Sequence, residues 1–282
     1  MKKILLSFLL CVAVVVCFAD EYKDTIYNVI YTYNPSGSRA EVKRGEHFYY
    51  DEDDEYEVLI PGSPDAKDEI IILDRFTING KEYIVDEIGC CAFLAKRNIV
   101  SVYIPSSIKN IESQAFYGCT QLSNVIMEEG VTSINNLAFC QCKSLKTISL
   151  PEGLETINAG AFNDTGLTSI TIPSTVQSLG DAIFYFSPIH TITSLMNEPF
   201  PIRPICREQN KVTLRVPVGT KSKYEMTSGW NQFLTIEEIQ PTGIISPKSF
   251  NQIFDYDLQG RKMLYGVRKG VYIQNGKKVV SK

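Results

Sequence analysis

The sequence predicts a mainly β fold, a solenoid of about five stacked coils. Three observations predict it: a residue pair that recurs at a fixed step, apolar positions that recur with the pair, and a short alternating segment in each repeat. The recurring pairs are Ala92-Phe93, Ala115-Phe116, Ala138-Phe139 and Ala161-Phe162, spaced by 23 residues, and Ile183-Phe184, which follows after 22 more. A fixed period of this length is the signature of a repeat architecture.

The alternating segment opens each coil. Its pattern is Leu-x-x-Ile-x-Ile, clear at 145–150 and 167–172 and looser at 99–104, 122–127 and 189–194. Because neighbouring side chains of a strand point to opposite faces, this alternation predicts a strand with one buried face. Pro105, Pro151 and Pro173 end the segment, since proline has no N–H to donate to a sheet, and Glu128 stands in that place in another coil.

Two sets of apolar residues predict a second short strand in each coil. Four residues ahead of each recurring pair lie Ile88, Ile111, Ile134, Ile157 and Leu179. Three residues before these lie Ile108, Val131, Leu154 and Val176. The Ala-Phe turn then folds the chain back over the core.

Stacking follows from the burial that each coil needs. A single coil cannot bury its apolar side, so we expect like residues to lie on one another about 4.8 Å apart along the sheet. The alternative is a globular β domain with coincidental spacing, which the number of aligned apolar positions disfavours.

Two stretches resemble a known repeat family. Residues 111–122 (Ile-Glu-Ser-Gln-Ala-Phe-Tyr-Gly-Cys-Thr-Gln-Leu) and 148–157 (Ile-Ser-Leu-Pro-Glu-Gly-Leu-Glu-Thr-Ile) resemble the BspA-like leucine-rich repeats of bacterial surface proteins. The resemblance covers residues 84–240. It implies a right-handed leucine-rich-repeat solenoid with a surface or adhesive role.

The segment before the repeats predicts an N-terminal β cap over residues 20–83. One hairpin is expected where Asn34-Pro35-Ser36-Gly37 separates 29–33 from 40–42. A second is expected at Asn79-Gly80, because this dipeptide suits the positive φ angles of a tight turn. Such a cap covers the apolar edge that the first coil would otherwise expose.

The end of the solenoid, assigned to 84–240 together with its cap, carries one more strand pattern. Residues 212–216 precede Pro217, and Tyr224, Trp230, Phe233 and Ile236 predict a C-terminal cap. Trp230 is the only tryptophan, and we expect it to pack under this cap; the alternative is contact with a ligand.

The first 19 residues predict a signal peptide. Lys2 and Lys3 precede an apolar run over 4–18, which is shorter than the roughly 20 residues of a membrane-spanning helix. Cys17-Phe18-Ala19 favours cleavage after Ala19, with lipidation of Cys17 as the alternative. The mature chain is therefore expected to be exported, to the cell surface or outside the cell, without a transmembrane segment.

Residues 241–282 do not follow the sequence pattern of the repeats. The runs 254–262 and 269–280 predict strands, the second turning at Asn275-Gly276. They resemble the C-terminal sorting segment of type IX secretion cargo, which implies export across an outer membrane in a host with that machinery. The alternative is a small appended β module.

Charge and chemistry exclude several function classes. Without Lys2 and Lys3 the chain has 26 basic against 32 acidic residues, a net charge of −6, so the clustered cations of a nucleic-acid-binding protein are not expected. Cys90, Cys91, Cys140 and Cys206 have no metal-site spacing with His47 or His190, which argues against zinc. A solenoid of plain coils offers a Cys–His pair no pocket, so we expect neither an enzyme nor a cofactor.

Six cysteines remain after Cys11 and Cys17 are removed with the signal. Cys119 and Cys142 occupy the same position of successive coils, where Lys96 and Thr165 stand in the neighbouring ones. Their expected spacing permits a disulfide, but parallel side-chain directions disfavour it. We expect free, buried thiols, as the resembled family implies.

The densest acidic run, residues 51–55, lacks the glycine and spacing of a calcium loop. A solvated loop is the favoured interpretation.

The outward side of the strands is the candidate binding surface. Alternation predicts one exposed column of Tyr103, Ile126, Ser149, Thr171 and Thr193, and beside it Ser101, Asn124, Thr147, Ser169 and Thr191. The surface is small, neutral and rich in hydroxyls, and Tyr103 with Ile126 forms its only apolar spot. Plain solvated β surface is the alternative.

Three function classes follow. The first is a binding or adhesion protein, with extracellular-matrix or other cell-surface proteins as partners. The second is a structural spacer of the cell envelope without a ligand, and the third is an accessory module of a hydrolase.

Overall fold

The computed structural model describes residues 37–43 and 68–239, with side chains for 37–42 and 69–239. Outside them it describes the backbone of 20–24, 29–33, 48–50, 56–58, 255–256, 262–263, 270–274 and 277–281. The signal segment, His47, the acidic run 51–55 and Asn275-Gly276 lie outside the described residues.

Short strands dominate the described chain. They are β1 (Asp20–Asp24), β2 (Val29–Tyr33), β3 (Arg39–Lys43), β4 (Phe48–Tyr50), β5 (Tyr56–Val58), β6 (Asp68–Ile71), β7 (Arg75–Ile78), β8 (Lys81–Ile88), β9 (Ile99–Ile104), β10 (Asn110–Ile111), β11 (Asn124–Met127), β12 (Ser133–Ile134), β13 (Thr156–Ile157), β14 (Ser169–Ile172), β15 (Ser178–Leu179), β16 (Thr191–Ser194), β17 (Thr213–Pro217), β18 (Thr235–Ile239), β19 (Asp255–Tyr256), β20 (Lys262–Met263), β21 (Gly270–Gln274) and β22 (Lys277–Ser281). One helix, α1 (Lys221–Met226), and two 3-10 turns, at Gln209–Lys211 and Trp230–Gln232, complete the described elements. No helix among the described residues has the length and apolar character needed to cross a bilayer.

Parallel ladders make the described coils a β-solenoid of about seven turns, which confirms the predicted fold class, although the sequence predicted only about five coils. The back sheet joins β3, β8, β10, β12, β13 and β15 in that order. The front sheet has two parts, with β6, β9 and β11 in one and β14, β16, β17 and β18 in the other. Apolar side chains from both sheets meet in one core, including Val102 and Ile170 from the front and Ile111 and Ile157 from the back.

The Ala-Phe turns fill one side of this core. Phe93, Phe116, Phe139, Phe162 and Phe184 form an unbroken stack with ring centroids 5.0, 5.1, 5.5 and 6.0 Å apart. Each turn also bonds to the next coil, as when the Phe116 N–H donates to the Ala138 carbonyl at 2.8 Å. The predicted stacking of like residues is confirmed.

Two residues of every turn adopt the left-handed conformation. The first position holds Cys91, Gln114, Leu137, Gly160 and Ala182, and the second holds Ala95, Gly118, Gln141, Asp164 and Phe186, with φ between 53° and 72°. Except at Phe186, their N–H groups donate along the stack, for example from Gln114 to the Asn136 carbonyl at 2.9 Å and from Gly118 to the Cys140 carbonyl at 2.8 Å. The coil-to-coil bonds thus offset a conformation that costs a non-glycine residue about 1–2 kcal/mol.

One predicted strand is absent. Residues 145–150 carry the clearest alternating pattern, yet 145–150 form no strand, and Ile148 and Leu150 are only half-buried. Within this described stretch, residues 146–150 make no backbone hydrogen bond to either neighbouring coil. The prediction was wrong because strand propensity does not hold a segment that gains no ladder partner, and the front sheet is divided here.

The strand pairs of both predicted N-terminal hairpins are present, while Asn34, Pro35 and Ser36 of the first turn lie outside the described residues. β2 pairs with β3 antiparallel, with Tyr33 opposite Ala40, and β7 pairs with β8 antiparallel. Asn79 and Gly80 have φ of 52° and 78°, as a type I′ turn requires.

At the other end the ladder continues through the segment expected to be a cap. β17 pairs with β16, and β18 pairs with β17, both parallel. Trp230 is fully buried, donates its Nε1–H to the Phe200 carbonyl at 2.9 Å and meets Tyr224 edge-to-face, which confirms its packing role. Beyond the solenoid, β19 to β22 form a separate sheet in which β21 and β22 pair antiparallel.

Candidate functional site

The predicted columns on the outward side of the front sheet exist as in-register ladders. We call this side the outer face. Ile126 pairs with Tyr103 and Asn124 with Ser101 across β9 and β11. Thr171 pairs with Thr193 and Ser169 with Thr191 across β14 and β16. The register therefore places like positions of successive coils beside one another.

The outer-face side chains of β9 are buried. Tyr103 is only 3% exposed and Ser101 only 7%, so the prediction that these two side chains face solvent was wrong. Tyr103 stands between two apolar ladder neighbours, the buried Ile71 and the half-buried Ile126. The predicted apolar contact spot is therefore reduced to Ile126.

The remaining predicted residues stay accessible. Asn124, Thr147, Ser149, Ser169 and Thr171 are exposed, while Ile126, Thr191 and Thr193 are half-exposed. Thr147 and Ser149 lie in the segment that forms no strand, so they flank the ladders without joining them. The open part of the outer face thus begins at Asn124.

The sequence-based prediction missed four residues that extend the outer face. Thr213 and Arg215 follow Thr191 and Thr193 in β17, and Thr235 and Glu237 follow in β18. Arg215 Nε lies 3.4 Å from Glu237 Oε2 across the two strands. The signal was present, because both columns advance by 22 residues from β16 to β17 and again to β18.

An exposed aromatic was also missed. Phe186 is 63% exposed, with its ring under the Arg207 guanidinium at 5.5 Å and edge-on to Tyr185. It occupies the second left-handed position of its turn, where Gly118 stands in an earlier coil. The pair pattern singled out Phe184 and gave no reason to inspect the residue two positions later.

A charged cleft of about 520 Å³ lies between the N-terminal strands and the bend after β9. Its lining residues are Ser38, Arg39, Asp74, Arg75, Ile84, Asp86, Ser106, Ser107 and Lys109. Arg39 pairs with Asp86 at 3.1 Å, and Arg75 pairs with Asp74 at 3.3 Å. Its lining includes no cysteine or histidine, so the cleft offers no thiol or imidazole nucleophile.

The buried thiols are structural. The six cysteines of the described chain are free, as expected for Cys119 and Cys142. Cys119 Sγ donates to the Phe93 carbonyl at 3.1 Å and Cys142 Sγ to the Phe116 carbonyl at 3.2 Å. Burial raises the pKa of Cys119 to about 12 and that of Cys142 well above its ordinary value, so both stay protonated.

Neither a metal-binding group nor a thiol–imidazole pair is built from the described side chains. Among them, no three His, Cys, Asp or Glu residues are arranged to hold a metal ion. His190 is exposed, and its Nδ1 lies 3.2 Å from Thr191 Oγ1. What the described chain presents is a polar outer face carried by two parts of the front sheet.

Comparison with known proteins matches the repeats. The BspA type leucine rich repeat region matches residues 73–193 in six copies. No curated protein matches the chain.

Solved structures show a similar fold. A leucine-rich repeat protein from Bacteroides ovatus shares 22% identity over 72% of this chain, with a TM-score of 0.52, and the chain spans 57% of that protein. The T. pallidum leucine rich repeat protein shares 19% identity over 76% of this chain and 81% of its own, with a TM-score of 0.49. The family model thus identifies residues 73–193 as BspA-type leucine-rich repeats, and the Bacteroides ovatus structure shows a similar fold.

Proposed function

We propose that this chain is an exported, non-enzymatic binding protein that holds a protein partner against its outer face. The observation that carries the proposal is the run of accessible short polar side chains from Ser169 to Thr235, held at ladder spacing on the paired strands β14, β16, β17 and β18. Asn124 and Ile126 extend the outer face beyond the unpaired segment 145–150. Extracellular-matrix and other cell-surface proteins are the partner class.

The chemistry of the outer face suits a protein surface. Thr171, Thr193 and Thr213 present hydroxyls that both donate and accept hydrogen bonds. Because these side chains are short and stand on paired strands, little conformational entropy is lost when a partner covers them. Ile126 supplies an apolar contact at one end.

The Arg215–Glu237 pair adds charge at the other end of the outer face. Both side chains are about half exposed, so the pair contributes at most about 1 kcal/mol to folding. It is therefore free to exchange for contacts with a partner at little cost to the fold.

The test compares two matched pairs of substitutions in the mature protein, immobilised and screened against panels of extracellular-matrix proteins and glycans. Thr171→Arg with Thr193→Arg adds two cations to the outer face. Gln177→Arg with Ser178→Arg adds two cations at exposed positions at the start of β15, on the back of the solenoid. We expect the first pair to weaken binding of a matrix protein at least about tenfold, and the second to leave it unchanged.

A third variant separates the outer face from the aromatic turn. Phe186→Gly removes the exposed ring and places glycine where its positive φ is unstrained, so the fold is kept. If this variant loses binding while the Thr171→Arg, Thr193→Arg variant binds as the wild type does, the binding site lies at the turn around Phe186 and not on the outer face.

The competing function is a structural spacer without a ligand. Its expected result is no partner above background in either panel, with all three variants equal to the wild type. Binding of glycans alone would instead favour an accessory module of a hydrolase.

Export is the remaining part of the proposal. It rests on the apolar segment before Ala19, with cleavage there and lipidation of Cys17 as the alternative, and on the tail 241–282 that resembles a sorting segment. Mass spectrometry of the protein from its host tests this by reporting both mature ends. An N-terminus at Met1 would contradict export through a cleaved signal.

A further inference from the structure

Two adjacent cysteines stand at the first Ala-Phe turn. Cys90 is exposed, Cys91 is half-buried, and their Sγ atoms are 3.5 Å apart. The same two positions of the later turns hold Ser113-Gln114, Asn136-Leu137, Ala159-Gly160 and Asp181-Ala182. Coil stacking therefore does not require sulfur at either position.

This pair differs from the other described thiols. Cys119, Cys140, Cys142 and Cys206 are buried. Burial raises the pKa of Cys140 to about 11 and that of Cys206 to about 12, so these thiols are poor nucleophiles. An oxidant in solution reaches Cys90 first.

The turn holds the two sulfurs close together. Cys91 has φ of 58°, and its N–H donates to the Ser113 carbonyl of the next coil at 3.0 Å. Its Sγ also lies 3.4 Å from Gln114 Oε1. Since a disulfide bond is about 2.05 Å long, the sulfurs need to approach by about 1.5 Å, which takes side-chain rotation and some distortion of the backbone between the two residues.

We propose that Cys90 and Cys91 are a redox-active pair that closes reversibly to a disulfide by exchange with a small-molecule disulfide. The Cys90 thiolate attacks one sulfur of that molecule, forms a mixed disulfide and expels one thiolate. The Cys91 thiolate then attacks Cys90 Sγ, so the protein disulfide forms and the second small thiolate leaves. Two electrons pass to the small-molecule disulfide, and the two protein protons end on the two released thiols.

The bond is readily reversible because its ring is strained. Adjacent Cα atoms lie about 3.8 Å apart across a trans peptide, below the usual disulfide range of about 4.4–6.8 Å. Strained and exposed disulfides are reduced more easily than structural ones. The pair is therefore a reversible modification site and not a staple of the fold.

The test incubates the full chain in mixtures of oxidised and reduced glutathione, traps free thiols by alkylation in denaturant and analyses tryptic peptides by mass spectrometry. Residues 82–96 form one tryptic peptide whose only cysteines are Cys90 and Cys91. We expect this peptide to lose two hydrogens in oxidising mixtures and to regain both on return to reduced glutathione. The four buried cysteines should remain fully alkylated throughout.

Two variants make the result specific. Cys91→Ser should trap glutathione on Cys90, since the second exchange step is removed. Cys140→Ser should leave the oxidation of the 82–96 peptide unchanged. A wild-type peptide that carries glutathione without ring closure, or that stays doubly alkylated in every mixture, would overturn the proposal.

Discussion

The phenylalanine stack shows how a single residue position determines the core. Phe116 is fully buried between Phe93 and Phe139, with ring centroids 5.0 and 5.1 Å away. Because both neighbours are held by their own coils, they cannot collapse into the space that a truncated side chain leaves. We expect Phe116→Ala to lower the free energy of unfolding by about 3–5 kcal/mol, measured by urea denaturation. A loss below about 1 kcal/mol would mean that this ring does not support the stack.

Glu87 makes stability depend on pH. Burial, together with the negative charges of Glu112 and Glu41, raises its pKa from 4.5 to about 6. The folded state thus binds this proton more tightly than the unfolded chain, and the contribution of Glu87 to stability falls as pH rises from about 4.5 to about 6. We expect Glu87→Gln to be more stable than the wild type near pH 7, and this advantage to shrink below pH about 4.5.

Urea denaturation near pH 7 and near pH 4 checks this expectation, with Glu155→Gln as a control at an exposed position. An advantage of Glu87→Gln that is equal at both pH values would contradict it.

Residue positions were predicted well where the repeat fixes them. Phe116 and Trp230 are buried as their patterns indicated. Ser101 and Tyr103 were misplaced because alternation says which side of a strand a residue takes, but not whether that side reaches solvent. Phe186 was missed because an exposed aromatic has no periodic signal.

Local pattern and tertiary pairing disagree for the segment 145–150, which has a strand-forming pattern but no strand. The ladders of β14 and β16 protect their amides, whereas residues 146–150 make no backbone bonds to the coils beside them. We expect the amides of 146–150 to exchange with deuterium at least about tenfold faster than those of Ile170 and Ile172. Equal protection of the two sets of amides in a native-state exchange experiment would contradict the division of the front sheet.

Most strands were predictable because their signal repeats at a fixed step. The second short strand of each coil holds only two residues, as at Asn110–Ile111, and only its repetition revealed it. The residues of a segment do not show whether a neighbouring strand will pair with it. This is why the pattern at 145–150 wrongly predicted a strand.

At the scale of the molecule, the described coils form one stack whose ladders reach Ile239. The step of 22 residues continues from Thr191 to Thr213 and Thr235, so the sequence contained these last coils, although their weaker turns made them resemble a cap. This continuity lengthens the outer face beyond its predicted end and brings Arg215 and Glu237 into it. Whether the outer face binds a ligand was not predictable, because short polar residues on a solvated sheet and on a binding sheet have the same pattern.

Side-chain footprinting with hydroxyl radicals, read by mass spectrometry on the free protein and on its complex with a bound matrix protein, tests the outer face most directly. Ile126 and Arg215 should lose oxidation in the complex, while the exposed Met226 and Phe186, which lie off the outer face, should react as before. Protection of Phe186 or of Leu179 on the back sheet, with Ile126 and Arg215 unchanged, would contradict binding at the outer face.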